Sequence, residues 1–175
     1  QYDAMGNKTA DIDAFGNTTN YVYDELDRVV KTIYPETGTG ERPVVTCEYN
    51  ELGFPIKTID CMGKETKTLF TVRGKPYRIE HPDGSIETFQ YSLEGNLVRK
   101  TGVDGRTFLY SYDLQNRVVQ EEELAPSGKS LGAIKHEYNT YHRLKTTDRD
   151  GMVTTYEYDA AGQLVKECCG ERYKV

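Results

Sequence analysis

What this 175-residue sequence lacks narrows its function first. It has no surplus of positive charge: 22 Lys and Arg stand against 28 Asp and Glu, a net charge of -6, and the pI is near 5.2. A surface that binds phosphates needs a basic stripe, so nucleic acid is excluded as a partner. Long apolar runs are also missing. No segment approaches the ~18 residues of a membrane span, and the mean hydropathy is -0.70. Cysteine is sparse: Cys47, Cys61, Cys168 and Cys169 form neither the CxxC pairs of a zinc site nor a disulfide framework, and they read as free thiols.

Catalytic signatures are absent too. There is no G-x-S-x-G, and no cysteine or serine stands in a pattern with a base and an orienting group. Asp11 to Gly16 and Asp148 to Gly151 echo calcium loops, but positions 5 and 12 counted from Asp11 are Phe15 and Val22, which offer no side-chain oxygen. His81, His136 and His142 have no further ligands converging on them in the sequence. The expectation is no enzyme, no metal and no cofactor. Helical periodicity is not found either.

What the chain does have is a tyrosine that returns about every 21 residues. Tyr2, Tyr23, Tyr49, Tyr91, Tyr112, Tyr138 and Tyr158 open the phrases YDAMGN, YDELDR, YNELGF, YSLEGN, YDLQNR, YNTYHR and YDAAGQ, and FTVRGK at Phe70 fills the one gap. The spacings are 21, 26, 21, 21, 21, 26 and 20 residues. A fixed period of this size marks a repeat architecture, in which each unit buries its face only against its neighbours.

One position after each aromatic stands a short polar residue (Asp3, Asp24, Asn50, Thr71, Ser92, Asp113, Asn139, Asp159) able to start an Asx- or ST-turn. Four positions after it stand Gly6, Asp27, Gly53, Gly74, Gly95, Asn116, His142 and Gly162, residue types that tolerate positive φ. Together they predict a type I turn closed by a left-handed residue. A second turn lies seven residues before the aromatic, at Gly16, Gly63, Gly84, Gly105 and Gly151. In the two 26-residue intervals ETGTGERP (residues 36–43) and APSGKSLGA (residues 125–133) are expected to replace it as loops.

Alternation between the turns predicts two antiparallel strands per repeat, roughly sixteen in all, at ~2 per repeat. Tyr2, Tyr23, Tyr49, Phe70, Tyr91, Tyr112, Tyr138 and Tyr158 are expected to form a structural ladder of aromatic cross-strand pairs. At this length the chain is expected to make one domain with a real core. The fold class is all-β: about eight hairpin repeats in a sheet that strand twist curls into a spiralling strip.

These phrases resemble the YD repeats of the RHS family, and the resemblance covers essentially the whole chain. It implies a long β-strip that winds into a spiral and encloses a hollow shell. The family includes bacterial polymorphic toxins, components of insecticidal toxin complexes, wall-associated proteins and the animal teneurins. In its toxin members the shell resembles a cocoon around a C-terminal toxic polypeptide. The segment that ends such shells, around an Asp-Pro-x-Gly motif, has no counterpart here: Pro35, Pro43, Pro55, Pro76, Pro82 and Pro126 all follow residues other than Asp.

The expectation is therefore a single repeat domain over residues 1–175, read as a piece of a longer array because the chain opens inside a repeat. Its role is a non-catalytic segment of a β-shell that encapsulates or displays a toxic polypeptide of the same protein, secreted or at the cell surface, in a bacterial setting. The expected partners are the rest of that polypeptide and, through exposed strand edges, further copies of the chain. The alternative is a module that binds glycans or a cell surface through exposed tyrosines and the long loops.

Overall fold

The computed structural model describes residues 1–38 and 40–170; Thr39 of the ETGTGERP segment and the closing Tyr173-Lys174-Val175 lie outside them. The chain is all-β. Among the described residues, fifteen antiparallel strands follow one another in chain order in an open sheet. They fall into two compact units, Gln1–Ile86 and Glu87–Val175. The first holds β1 (Ala10–Ile12), β2 (Thr18–Tyr23), β3 (Val29–Ile33), β4 (Val44–Tyr49), β5 (Pro55–Ile59), β6 (Glu65–Phe70) and β7 (Pro76–Glu80). The second holds β8 (Ile86–Tyr91), which begins at the boundary, β9 (Leu97–Thr101), β10 (Thr107–Tyr112), β11 (Val118–Leu124), β12 (Ser130–Tyr138), β13 (Arg143–Thr147), β14 (Val153–Tyr158) and β15 (Leu164–Cys169). The count is one short of sixteen because the pairing of Tyr2 is a single bridge with Lys8 rather than a strand.

Turn chemistry sets the hairpins. After Tyr23, the Asp27 N–H donates to the Asp24 carbonyl (3.2 Å) and the Asp24 N–H to the Arg28 carbonyl (2.9 Å). The Asp24 carboxylate accepts the N–H groups of Leu26 and Arg28 at 2.9 and 3.0 Å. Asn50 does the same for Leu52 and Phe54, and the hydroxyls of Thr71 and Ser92 accept from Lys75 and Asn96. The turns on the other margin are built alike: Asp60 caps Met62 and Lys64, and Gly63 closes the loop at φ 76°. The aromatic turns shift the register, between Val22 and Tyr23, for instance, or Glu48 and Tyr49. Such bulges increase local strand twist.

Two expectations need correction. The APSGKSLGA segment is not a long loop: β12 begins within it at Ser130, β11 ends just before it at Leu124, and the two meet at a tight turn whose Gly128 N–H donates to the Ala125 carbonyl, with a bulge between Glu123 and Leu124. Nor does a packed core form. Ala10 and Val153 are the only buried apolar residues among those described, because a single sheet has no second layer to cover its faces.

The two units carry the same pattern. Tyr2 and Tyr91, Tyr23 and Tyr112, and Tyr49 and Tyr138 are each 89 residues apart, while Phe70 and Tyr158 are 88 apart. The four-hairpin block is thus written twice, and the boundary between the compact units falls where the second copy starts.

Candidate functional site

The recurring aromatics serve as ties rather than as a stacked ladder. Tyr23 donates its hydroxyl to the Lys8 carbonyl (2.9 Å), Tyr49 to Val29 (2.9 Å), Tyr112 to Leu97 (2.7 Å), Tyr138 to Val118 (3.0 Å) and Tyr158 to Arg143 (2.9 Å). In every case the acceptor is the residue paired with the aromatic of the preceding repeat. Each tyrosine thus fastens its hairpin to the one before. The column recurs on every second strand, ~9.6 Å away, beyond the 4.5–7 Å of aromatic pairs, a spacing that favours ties over ring-on-ring stacking. Burial pushes the Tyr91 and Tyr112 hydroxyls above the usual tyrosine value, which favours the neutral donor. Tyr2, with one bridge, is 70% exposed.

Two arginines that the sequence reading missed strengthen this tie. Arg28 Nε and Nη2 reach Asp24 Oδ2 at 2.8 and 2.7 Å, Nη1 donates to the Asn50 carbonyl at 3.1 Å, and the guanidinium lies 4.8 Å from the Tyr49 ring centre. Arg117 repeats the arrangement 89 residues later, with Asp113 at 2.8 and 2.7 Å, the Asn139 carbonyl at 2.8 Å and the Tyr138 ring at 4.4 Å. Each clamps its own turn to the next one. The Arg28 guanidinium holds the Asp24 carboxyl below the usual carboxylate range, and for Asp113 the Arg117 backbone N–H is the largest cause. The signal lay in the phrases themselves: the turns closed by Asp27 and Asn116 instead of glycine both precede Arg, and both open a 26-residue interval.

Asp27 and Asn116 are the non-glycine residues with positive φ among those described, at 58° and 60°; Gly6, Gly53, Gly74, Gly95 and Gly162 also have positive φ. An amide of the preceding repeat bonds each of the two: Asn7 to Asp27 at 2.6 Å and Asn96 to Asn116 at 2.7 Å. His142 does not belong to this class. Its turn is one residue shorter, with the Asn139 N–H donating to the His142 carbonyl and Tyr138 paired with Arg143. The deletion moves His142 into the place that Phe54 holds in the first unit. Phe54 stacks on Phe70 at 5.3 Å, and His142 stacks on Tyr158 at 4.4 Å. The 20-residue spacing to Tyr158 was its trace in the sequence. The rings lie so close to the next turn that a Cβ on Gly74 would meet Phe54 at 2.7 Å, and one on Gly162 would meet His142 at 3.1 Å.

Little here resembles a reaction centre. Two shallow grooves of about 430 and 520 Å³ lie beside the tight turns of the first unit, and Lys67 and Glu65, which line the smaller one, pair with each other at 2.7 Å. His136 Nδ1 lies 3.1 Å from Thr146 Oγ1, and its Nε2 lies 3.7 Å from Glu121. Among the described residues no three His, Cys, Asp or Glu converge to hold a metal, and all four cysteines are free. Among the described residues no helix is long and apolar enough to cross a membrane.

Comparison with known proteins agrees with this geometry. The RHS Repeat family model matches residues 91–129 and 138–167. Double-stranded DNA deaminase toxin A of Burkholderia cenocepacia (strain H111) is 30% identical over 143 residues, covering 70% of this chain and 10% of that protein. The chain thus spans about a tenth of the length of the curated relative it matches. A crystal structure of TcdB2-TccC3-Cdc42 superposes with a TM-score of 0.72 at 16% identity, over 86% of this chain and 9% of the other, and shares the fold. With tyrosine ties, capped turns and these matches in hand, the chain belongs to the RHS-repeat family.

Proposed function

We propose that this chain is a wall segment of an RHS-type shell, which encloses or displays another part of the same polypeptide. The observation that carries this reading is that the recurring side chains are spent on holding neighbouring hairpins together. Tyrosine hydroxyls go to main-chain carbonyls, and the turn carboxylates go to their own N–H groups. A sheet of this kind covers area without gathering a pocket. The relative's name as a toxin supports a toxic polypeptide as the enclosed partner, and a secreted or cell-associated bacterial protein as the setting. The glycan alternative is the weaker reading, since five of the hydroxyls it would use are already bonded.

The wall has no turnover of its own. Incubated with double-stranded DNA, the chain should produce no deaminated base; deamination by these residues would sink the proposal. In the full-length polypeptide, the segment after the repeats should resist protease for as long as the wall stays folded. Its digestion while the wall survives would rule out enclosure, and strong signals on a glycan array would move the reading to the alternative.

A further inference from the structure

The clamps and the two long intervals coincide. Arg28 joins the turn of β2–β3 to that of β4–β5 and so bridges the seam between β3 and β4, the seam whose other end is the ten-residue connection 34–43. Arg117 bridges the seam between β11 and β12, whose far end is the extended hairpin. At other seams, such as β5–β6 and β9–β10, a five-residue turn closes the opposite margin, and at β9–β10 the Asn96 amide also reaches Asn116 on the tyrosine margin, without a guanidinium.

The additions are fastened separately. Arg42 donates from the first loop to the carbonyls of Tyr34 (2.9 Å), Ile33 (3.2 Å) and Thr18 (2.6 Å). In the second unit Glu123, 3% exposed, is held between Arg106 at 2.8 Å and Arg149. Five extra residues thus enter at the same point of each block, once as a loop and once as sheet, and the strand pairs on either side keep their alignment.

We propose that clamp and long interval form one device. The guanidinium fixes the register of the seam from the tyrosine margin, which frees the opposite margin to accept added chain. Each 89-residue block carries one such point of entry, and it is where a longer array displays segments without opening its wall.

The test uses the whole 175-residue chain. A ten-residue Gly-Ser segment is inserted between Thr37 and Gly38, or, as a control, between Cys61 and Met62 in a tight turn. Doubling a free loop is inexpensive, so the first insertion should lower Tm by only ~1–3 °C, and the control by several times more. Combined with Arg28→Ala, the Thr37 insertion should lower Tm by more than the sum of the two changes, and speed exchange of the amides in the Lys31–Thr46 pair at least ~10-fold, the signature of coupled sites. If Arg28→Ala does not fold, Arg28→Lys serves, since it keeps the charge and loses the planar fork and the ring contact. Arg117→Ala should leave the first seam indifferent to its insertion. Additive losses, or equal sensitivity at the two insertion points, would overturn the proposal.

Discussion

Residues 34–38 and 40–43 of the first unit and the hairpin end Ala125–Lys129 of the second occupy the same place in their blocks, yet the first lie outside the sheet while the second is a tight turn between lengthened strands. The difference lies in a few residues. The loop is bounded by Pro35 and Pro43, which cannot donate to a ladder, and Gly38 and Gly40 sit at φ 83° and 82°. In Ala125-Pro126-Ser127-Gly128 a single proline stands at the second turn position, where its fixed φ suits a type I turn, and Gly128 supplies the left-handed residue at φ 81°. Placement of proline and glycine, more than insertion length, decides whether added chain joins the sheet.

The sharpest contrast between the units should come with acid. Turn hydrogen bonds hold Asp3, Asp13, Asp24 and Asp83 in the first unit, and Asp113 in the second, below the usual carboxylate range. A lowered folded value means stability that is complete above the ordinary range and lost as pH falls through the folded values. Residue-resolved hydrogen exchange between about pH 5 and about pH 3 should show the first unit opening before the second. Simultaneous opening would break the contrast.

Glycine substitutions come next. Gly74→Ala combines positive φ with a clash against Phe54, and should cost about 2–3 kcal/mol. Gly53→Ala has the same φ class and open space around it, and should cost about 1 kcal/mol. Chemical denaturation of the pair separates strain from crowding; equal losses would mean that the ring contact is slack. The tyrosine ties are smaller still. Tyr49→Phe and Tyr138→Phe should each lose about 1 kcal/mol, the net worth of one hydrogen bond, by the same amount in each unit because the acceptors correspond. The smallest effect is a gain. Phe70 lacks the hydroxyl that its column uses, and Pro55, paired with Tyr49, is the acceptor that the pattern designates. Phe70→Tyr should stabilise by under about 1 kcal/mol, and a loss would show that the Phe54 stack has taken over that position.

The turn scaffold was legible because it is local. Asp24 and Asp27 act within one turn, so a column of short polar residues and a column of left-handed residues could be read directly as hairpins. Arg28 was not legible, since its meaning depends on the Asn50 carbonyl and the Tyr49 ring, which only the folded β3–β4 pairing brings near. His142 misled for the opposite reason. Alignment by spacing from Tyr138 placed it with the glycines, whereas one deleted residue had moved it to the stacking position of Phe54. The absent core was also beyond reach, because alternation predicts faces and says nothing of whether a second layer covers them.

The tyrosine tie ends on a carbonyl oxygen, and that choice governs how the chain can change over generations. Every residue presents the same carbonyl, so the receiving strand is free to exchange Val29, Leu97, Val118 or Arg143 for another side chain without unmaking the bond. Inheritance need preserve only the donor column and the turn formers. Between them the receiving strands can drift, and one sheet design can carry many different surfaces.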